Sequence, residues 1–249
     1  MKRGERLKEE IETFDDVASY EEHIQKPLHQ AVVHDFETLL SKEDFSGKQV
    51  LEVGCGASPF FSCYRKASEV FLIDLNERLL KQTPVPSHVR RIVADGSRLC
   101  FRDGSMDAVI LFGVLHHFPD PRAGLEEVKR VLSGEGKLFL VEPHTRSLNS
   151  FYRFLRFVGL RLIGKKGVKA LIGCFSPEEG TISLKTVCSV FRKEFCISAR
   201  TLYPFRLPPF RLFKKTTLEV SLNRFLNVFP PTAFFGTLLF VIVERSKST

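Results

Sequence analysis

The chain has 249 residues, of which 43% are hydrophobic and 27% charged. Those proportions belong to a globular protein and exclude a disordered, collagen-like or coiled-coil chain; the length allows one large domain, or one domain with an elaboration, and a core that needs no covalent staples. The formal net charge of +8 is unevenly placed: residues 1–45 carry 12 acidic and 6 basic side chains, residues 46–144 carry 12 and 13, and residues 145–249 carry 5 and 18.

Six cysteines are scattered without a C-x-x-C pair or a Cys/His spacing. Neither a zinc site nor a disulfide framework is expected, and a reducing compartment fits. Met1 to Glu22 is charged throughout, so no signal peptide is expected there.

Residues 8–45 predict one or two amphipathic helices. Beyond them come five short apolar runs: Lys48 to Val53, Glu69 to Asp74, Val89 to Ala94, Met106 to Phe112 and Lys137 to Val141. Continuous apolar runs separated by helical patterns predict a parallel sheet covered on both faces. Between the last two, Asp120-Pro121 supplies a helix N-cap and a proline at the first helical position. Leu125, Val128, Val131 and Leu132 then share one face, and Gly134 and Gly136 are expected to stop that helix. Farther on, residues 147–172 read as a basic, Phe-rich helical stretch. Ser183 to Phe195 reads as a helix, Phe195 to Tyr203 and Thr237 to Val243 as the final strands, and 204–236 as a Pro- and Phe-rich insertion.

The first strand runs into Val50-Leu-Glu-Val-Gly-Cys-Gly56. Glycines here let the backbone turn tightly and approach a ligand lying across the carboxyl edge of a parallel sheet. The next helix presents free N–H groups to a negative group. Asp74 closes the second strand, where a carboxylate can accept both hydroxyls of a ribose. Asp95, followed by Gly96, closes the third, where a carboxylate can accept from an adenine amino group. The fourth strand runs from Asp107 into a turn ending in His116-His117. A dinucleotide fingerprint, G-x-G-x-x-G, would require glycine at position 59, where Pro59 stands.

Taken together, VLEVGCG, VFLID, VADG, MDAVILFGVLHHFPDP and LEEVKRVLSGEGKLFLVEP resemble the class I S-adenosylmethionine-dependent methyltransferases, in particular the small-molecule group that includes the ubiquinone- and menaquinone-pathway enzymes. The resemblance covers residues 46–143. It implies an α/β three-layer, Rossmann-like sandwich with a mostly seven-stranded sheet whose last strand is antiparallel. It also implies S-adenosylmethionine as cofactor. Glu52, Gly54, Cys55 and Gly56 would line its methionine part, Asp74 would hold the ribose with Leu75 on the adenine, and Asp95 and Gly96 would bind the adenine edge. Phe112, Gly113 and Val114 would offer backbone groups near the amino group and sulfonium. The family's last motif glycine is replaced here by Ser58. Residues 1–45 would form a helical lid, with Phe14 to Tyr20 similar to the family's lid segment and Tyr20 a cofactor contact. Residues 46–249 would form the methyltransferase domain, with substrate-side insertions at about 145–180 and 204–236.

Methyl transfer needs a general base only when the nucleophile must lose a proton. His117 and His116 are the candidates, and no metal is expected. The alternatives are a non-catalytic cofactor-binding sensor or scaffold, and a methyltransferase acting on RNA. The basic, Phe-rich segments suit a small or lipid-like acceptor and an anionic membrane surface. Basic and aromatic residues also suit RNA, but Phe accompanied by Leu, Ile and Val favours lipid or core over base stacking, and the plainer reading is a helical cap whose Phe residues are core. A cytoplasmic protein, at the membrane surface or not, is the expectation. Phe225 to Val243 is uncharged but interrupted by Asn227, Pro230, Pro231 and Gly236, so it is not expected to cross a bilayer.

Overall fold

In the computed structural model the described residues are 3–14, 17–57, 60–82, 85–144, 158, 161–162, 181–191, 194–202, 217–226 and 238–246. Three helices come first: α1 (Arg3–Phe14), α2 (Val17–Ile24) and α3 (Pro27–Leu40). One or two were expected. Pro27 supplies the additional break, because proline takes the first helical position readily and cannot sit inside a helix.

The strands are β1 (Gln49–Val53), β2 (Glu69–Asp74), β3 (Val89–Val93), β4 (Met106–Phe112), β5 (Leu132–Pro143), β6 (Phe195–Leu202) and β7 (Leu238–Arg245). They form one seven-stranded sheet in the order β3-β2-β1-β4-β5-β7-β6. β1 to β5 are parallel, and β7 alone runs against its neighbours β5 and β6. The chain moves outward from β1 through β2 to β3, then returns to place β4 on β1's other side. That reversal opens a crevice at the carboxyl ends of β1 and β4, where open α/β sheets bind their ligands.

Each sheet face has its own core. On one, Leu51, Val53, Val109, Leu111, Leu138 and Leu140 pack against α6 (Pro121–Val131) and α7 (Leu184–Val190) through Leu125, Val128, Val187 and Val190. On the other, Val50, Val70, Leu72, Ile110, Phe139 and Phe240 meet α3 through Val32, Phe36 and Leu40. Burial on both faces is why the strands read as unbroken apolar runs rather than alternating ones.

The α6 start follows expectation: the Asp120 carboxylate accepts from the Arg122 and Ala123 N–H groups at 3.0 and 3.1 Å. Its end does not. The helix stops at Val131, and Gly134 and Gly136 lie inside β5. There Met106 pairs with Leu132 and Ala108 with Lys137, so residues 133–136 bulge from the ladder. A Cβ on Gly136 would meet the Met106 carbonyl oxygen at 2.8 Å; the glycine admits a close backbone approach rather than capping a helix.

α4 (Phe61–Tyr64) and α5 (Glu77–Gln82) are short connectors. α7 begins where Ser183 Oγ accepts from the Thr186 N–H. Within the 204–236 insertion, α8 (Thr217–Leu226) is the described portion. Of the expected basic helix over 147–172, only positions 158, 161 and 162 are described; Ser58 and Pro59 also lie outside the described residues.

Candidate active site

The crevice floor is the turn after β1. Its backbone N–H groups are satisfied in sequence: Gly54 and Cys55 donate to the Ile73 carbonyl (2.7 and 3.2 Å), Gly56 donates to Asp74 Oδ2 (2.9 Å), and Ala57 donates to the Tyr20 hydroxyl oxygen. The first two bonds belong to the scaffold. The last two end on side-chain oxygens, which a ligand's oxygens can replace. Gly54 and Gly56 have φ of +69° and +56°, a region only glycine enters at no steric cost.

Asp74, at the end of β2, also accepts from the Asn76 N–H at 2.8 Å and from the Leu75 N–H. Burial raises its pKa; the amides of Asn76, Gly56 and Leu75 and the nearby His117 pull the other way. Asp95 follows β3, and its Oδ1 accepts from the Ser97 N–H and hydroxyl at 2.9 and 2.7 Å. Gly96 sits where a Cβ would overlap Val53 and the Phe118 ring, so its small size has a packing reason as well as the expected ligand one.

Glu52 lies on β1, two residues before Gly54. It is 2% exposed, and its Oε2 accepts from the Phe60 N–H (3.1 Å) and the Tyr64 hydroxyl. It ties the end of β1 to both ends of α4. Burial raises its pKa well above the ordinary carboxylate range, the Phe60 N–H lowers it, and the charge of Asp74 adds a rise. Cys55, buried beside it, has a thiol raised in the same way, chiefly by burial.

A group whose folded-state pKa lies above its unfolded value makes the folded protein bind the proton more tightly. Its contribution to stability falls as pH rises from about 4.3 through the folded value. Glu52→Gln therefore removes this slope. Thermal melts from pH 4.5 to 8 should show the variant gaining on the wild type as pH rises; a pH-independent difference would contradict this assignment.

On the other side of the crevice, β4 ends at Phe112 and the chain turns through Gly113 (φ +64°). The Phe112 ring faces α3, packing against Phe36, Phe60 and His29. Gly113 N–H donates to the Val141 carbonyl, and Val114 N–H to Glu142 Oε1. What this turn can offer a ligand's ammonium group is therefore carbonyl oxygens. A Cβ on Gly113 would meet nothing within 4 Å, so the backbone here lies open to close approach.

His116 and His117 follow in a single 3-10 turn (Leu115–His117), with ring centroids 4.0 Å apart. His116 is 7% exposed. His117 packs edge-on against Phe14, which brings the end of α1 over the crevice. Asn76 Nδ2 donates to the Phe14 carbonyl at 3.1 Å, and Phe14 in turn meets Tyr20 edge-on. Tyr20 stands directly over Gly56, in the space a Cβ would need. Burial raises its phenol's pKa, with the negative charge of Asp74 adding to the effect.

The structure thus gathers Glu52, Gly54, Cys55, Gly56, Asp74, Tyr20, Val114, His116 and His117 at one end of the sheet, with Asp95 and Gly96 at the adjoining strand end. The sequence reading missed Asn76, which also caps α5 by accepting from the Arg78 N–H, and Glu142, buried at 0% exposure. Glu142 carries the same signal as Asp74 and Asp95, an acid closing an apolar run.

The cradle suits the expected cofactor: two glycines with positive φ, two amides held by exchangeable oxygens, and a buried carboxylate at the end of β2. The methyltransferase domain family matches residues 51–140. The ubiquinone biosynthesis O-methyltransferase of Xanthomonas oryzae pv. oryzae is 33% identical over 123 residues, 47% of this chain and 52% of that protein. Its namesake from Xylella fastidiosa is 31% identical over 134 residues, 51% and 54% of the two chains. The chain spans about half the length of the curated relatives it matches.

Among solved structures, a chain from the complex between the Haloferax volcanii Trm112 methyltransferase activator and its methyltransferase gives a TM-score of 0.62 at 12% identity, covering 96% of this chain and 98% of that one. The N-methyltransferase NodS from Bradyrhizobium japonicum, in complex with S-adenosyl-L-homocysteine, gives 0.55 at 13% identity over 90% of both. At these identities the likeness is one of fold. The matched segment and the sheet order agree: residues 51–140 match the methyltransferase domain family, and they lie in a sheet with the fold of those solved methyltransferases.

Proposed function

We propose that this protein transfers the methyl group of S-adenosylmethionine to an oxygen of a small or lipid-like hydroxylated acceptor. The observation that carries the reading is the convergence of the Gly54–Ala57 turn, Asp74 and the His116-His117 turn around one crevice. The O-methyltransferase names of the curated relatives favour oxygen over nitrogen or carbon.

The cofactor supplies a methyl group on a sulfonium, which leaves as a neutral thioether. The chain's part is to align, exclude water and take a proton. The Gly56 N–H, released from Asp74, and the Ala57 N–H, released from the Tyr20 hydroxyl, would meet the cofactor's oxygens. Asp74 would accept from the ribose hydroxyls, and Asp95 from the adenine. Phe14 and Tyr20 close the crevice from above, so displacement occurs away from water, where proximity and orientation account for several kcal/mol of the barrier. His116 or His117 would take the acceptor's hydroxyl proton as the new C–O bond forms, a contribution of about 10²- to 10⁴-fold.

The test is calorimetry with S-adenosylhomocysteine, followed by transfer of a labelled methyl group to a panel of catechols with and without prenyl chains. Binding with transfer to a prenylated catechol is the expected result. Binding without transfer to any phenol, amine or RNA would support a sensor, and no binding would end both readings. The strongly basic stretch beyond residue 145 favours an acceptor held at an anionic membrane surface. The protein should then float with phosphatidylglycerol vesicles and not with phosphatidylcholine ones; equal behaviour would remove the membrane from the reading. Among the described residues no helix is long and apolar enough to cross a membrane.

A further inference from the structure

Glu142 closes β5 and is completely buried. A carboxylate taken out of water needs compensating partners, and this one has four. Oε1 accepts from the Val114 N–H at 3.0 Å and the Leu115 N–H at 2.7 Å; Oε2 accepts from the His116 N–H at 3.3 Å and lies 2.7 Å from His116 Nδ1. The amides alone would make Glu142 a clasp for the turn after β4. The imidazole contact adds chemistry. An ionised carboxylate can only accept, so its contact with Nδ1 fixes the proton on that nitrogen. A neutral His116 then carries its lone pair on Nε2.

We propose that Glu142 is a positioning residue for proton abstraction: it holds His116 in the Nδ1–H tautomer, leaving Nε2 as the acceptor of a hydroxyl proton. The inference rests on the proposed transfer to a hydroxyl and selects His116 over His117 for the proton. In that step the acceptor's O–H bond breaks, its proton passes to Nε2, and the imidazolium so formed is stabilised by the charge of Glu142 across the 2.7 Å contact. His117, tilted against His116 and met edge-on by Phe14, then serves to wall the site off from water.

Glu142→Gln is the discriminating change. The carboxamide oxygen can still accept from Val114 and Leu115, but its NH₂ then faces Nδ1, which must become an acceptor. In protein labelled with ¹⁵N-histidine, the His116 ring, assigned by its loss in His116→Gln, should be Nδ1–H in the wild type and Nε2–H in Glu142→Gln. S-adenosylhomocysteine affinity should stay within about threefold. With a prenylated catechol, kcat should fall by about 10²-fold or more with KM little changed, and the loss should vanish in a His116→Gln background.

An Nε2–H wild type, an unchanged tautomer in the variant, or a kcat loss that persists without His116 would each overturn the proposal and leave Glu142 as a clasp. Should Glu142→Gln fail to fold, the wild-type tautomer still decides. If no acceptor turns over, it is the O-methyl reading that has failed, and the ring spectrum judges Glu142 independently.

Discussion

Gly54→Ala is expected to cost about 2–5 kcal/mol of stability, and to abolish measurable cofactor binding. Two effects add. At φ +69° an alanine sits in left-handed backbone, at roughly 1–2 kcal/mol. Its Cβ would also overlap the Cβ and Cγ2 of Val114, and overpacking of this kind costs about 1–3 kcal/mol. Val114 belongs to the turn that Glu142 clasps, so relief must come by moving either that turn or the cofactor turn, and each displacement spoils the crevice. For a chain of this length the melting temperature should fall by about 5–15 °C.

Val114→Gly introduced beside Gly54→Ala removes both overlapping atoms and leaves the backbone part, so the pair should recover part of the loss. A Gly54→Ala protein that melts with the wild type and binds S-adenosylhomocysteine normally would show that the two turns are not in contact. Gly56→Ala makes an instructive contrast. Its Cβ would meet the Tyr20 hydroxyl instead. The end of a tyrosine side chain can swing away, so stability should suffer less while Tyr20 no longer seats over the turn.

The sheet was legible because its signal is local. Val50 to Val53 and Val109 to Leu111 are buried on both faces, and unbroken apolar runs announce that. Strand ends and the acids that close them share one position in the chain, so Asp74 and Asp95 could be placed before any tertiary contact was known. Other features had no local signal. Gly134 and Gly136 look like helix stops, yet they sit in a bulge set by pairing with β4. Tyr20 over Gly56 and Phe14 on His117 join residues far apart in the chain, and nothing in either segment names its partner. Arg130 is another such case: it binds Glu127, Asp103 and the carbonyls of Leu99 and Phe101, pinning the loop after Asp95 to α6. Glu52 shows a subtler gap. Its place on β1 was plain, but its bonds to the Phe60 N–H and the Tyr64 hydroxyl, at the two ends of α4, had no local signal.

Asp74→Ala should weaken S-adenosylhomocysteine binding by about 10²-fold or more, taking hydrogen bonds to a charged group at about 1.5–3 kcal/mol each. Part of that loss is structural, because the Gly56, Leu75 and Asn76 amides all donate to this carboxylate. A ligand-side change separates the two parts. Removing the ribose 2′-hydroxyl of S-adenosylhomocysteine should cost the wild type about tenfold and cost Asp74→Ala nothing, since the partner is already gone. If the variant still discriminates between the two ligands, the ribose is held elsewhere.

pH supplies an independent check. Burial raises the pKa of Asp74 above the usual carboxylate value, so its proton returns at milder acidity than for an exposed aspartate. A protonated carboxyl offers the ribose less acceptor strength. Affinity should therefore hold above the raised value and decline as pH falls through it, and in Asp74→Ala that decline should be absent.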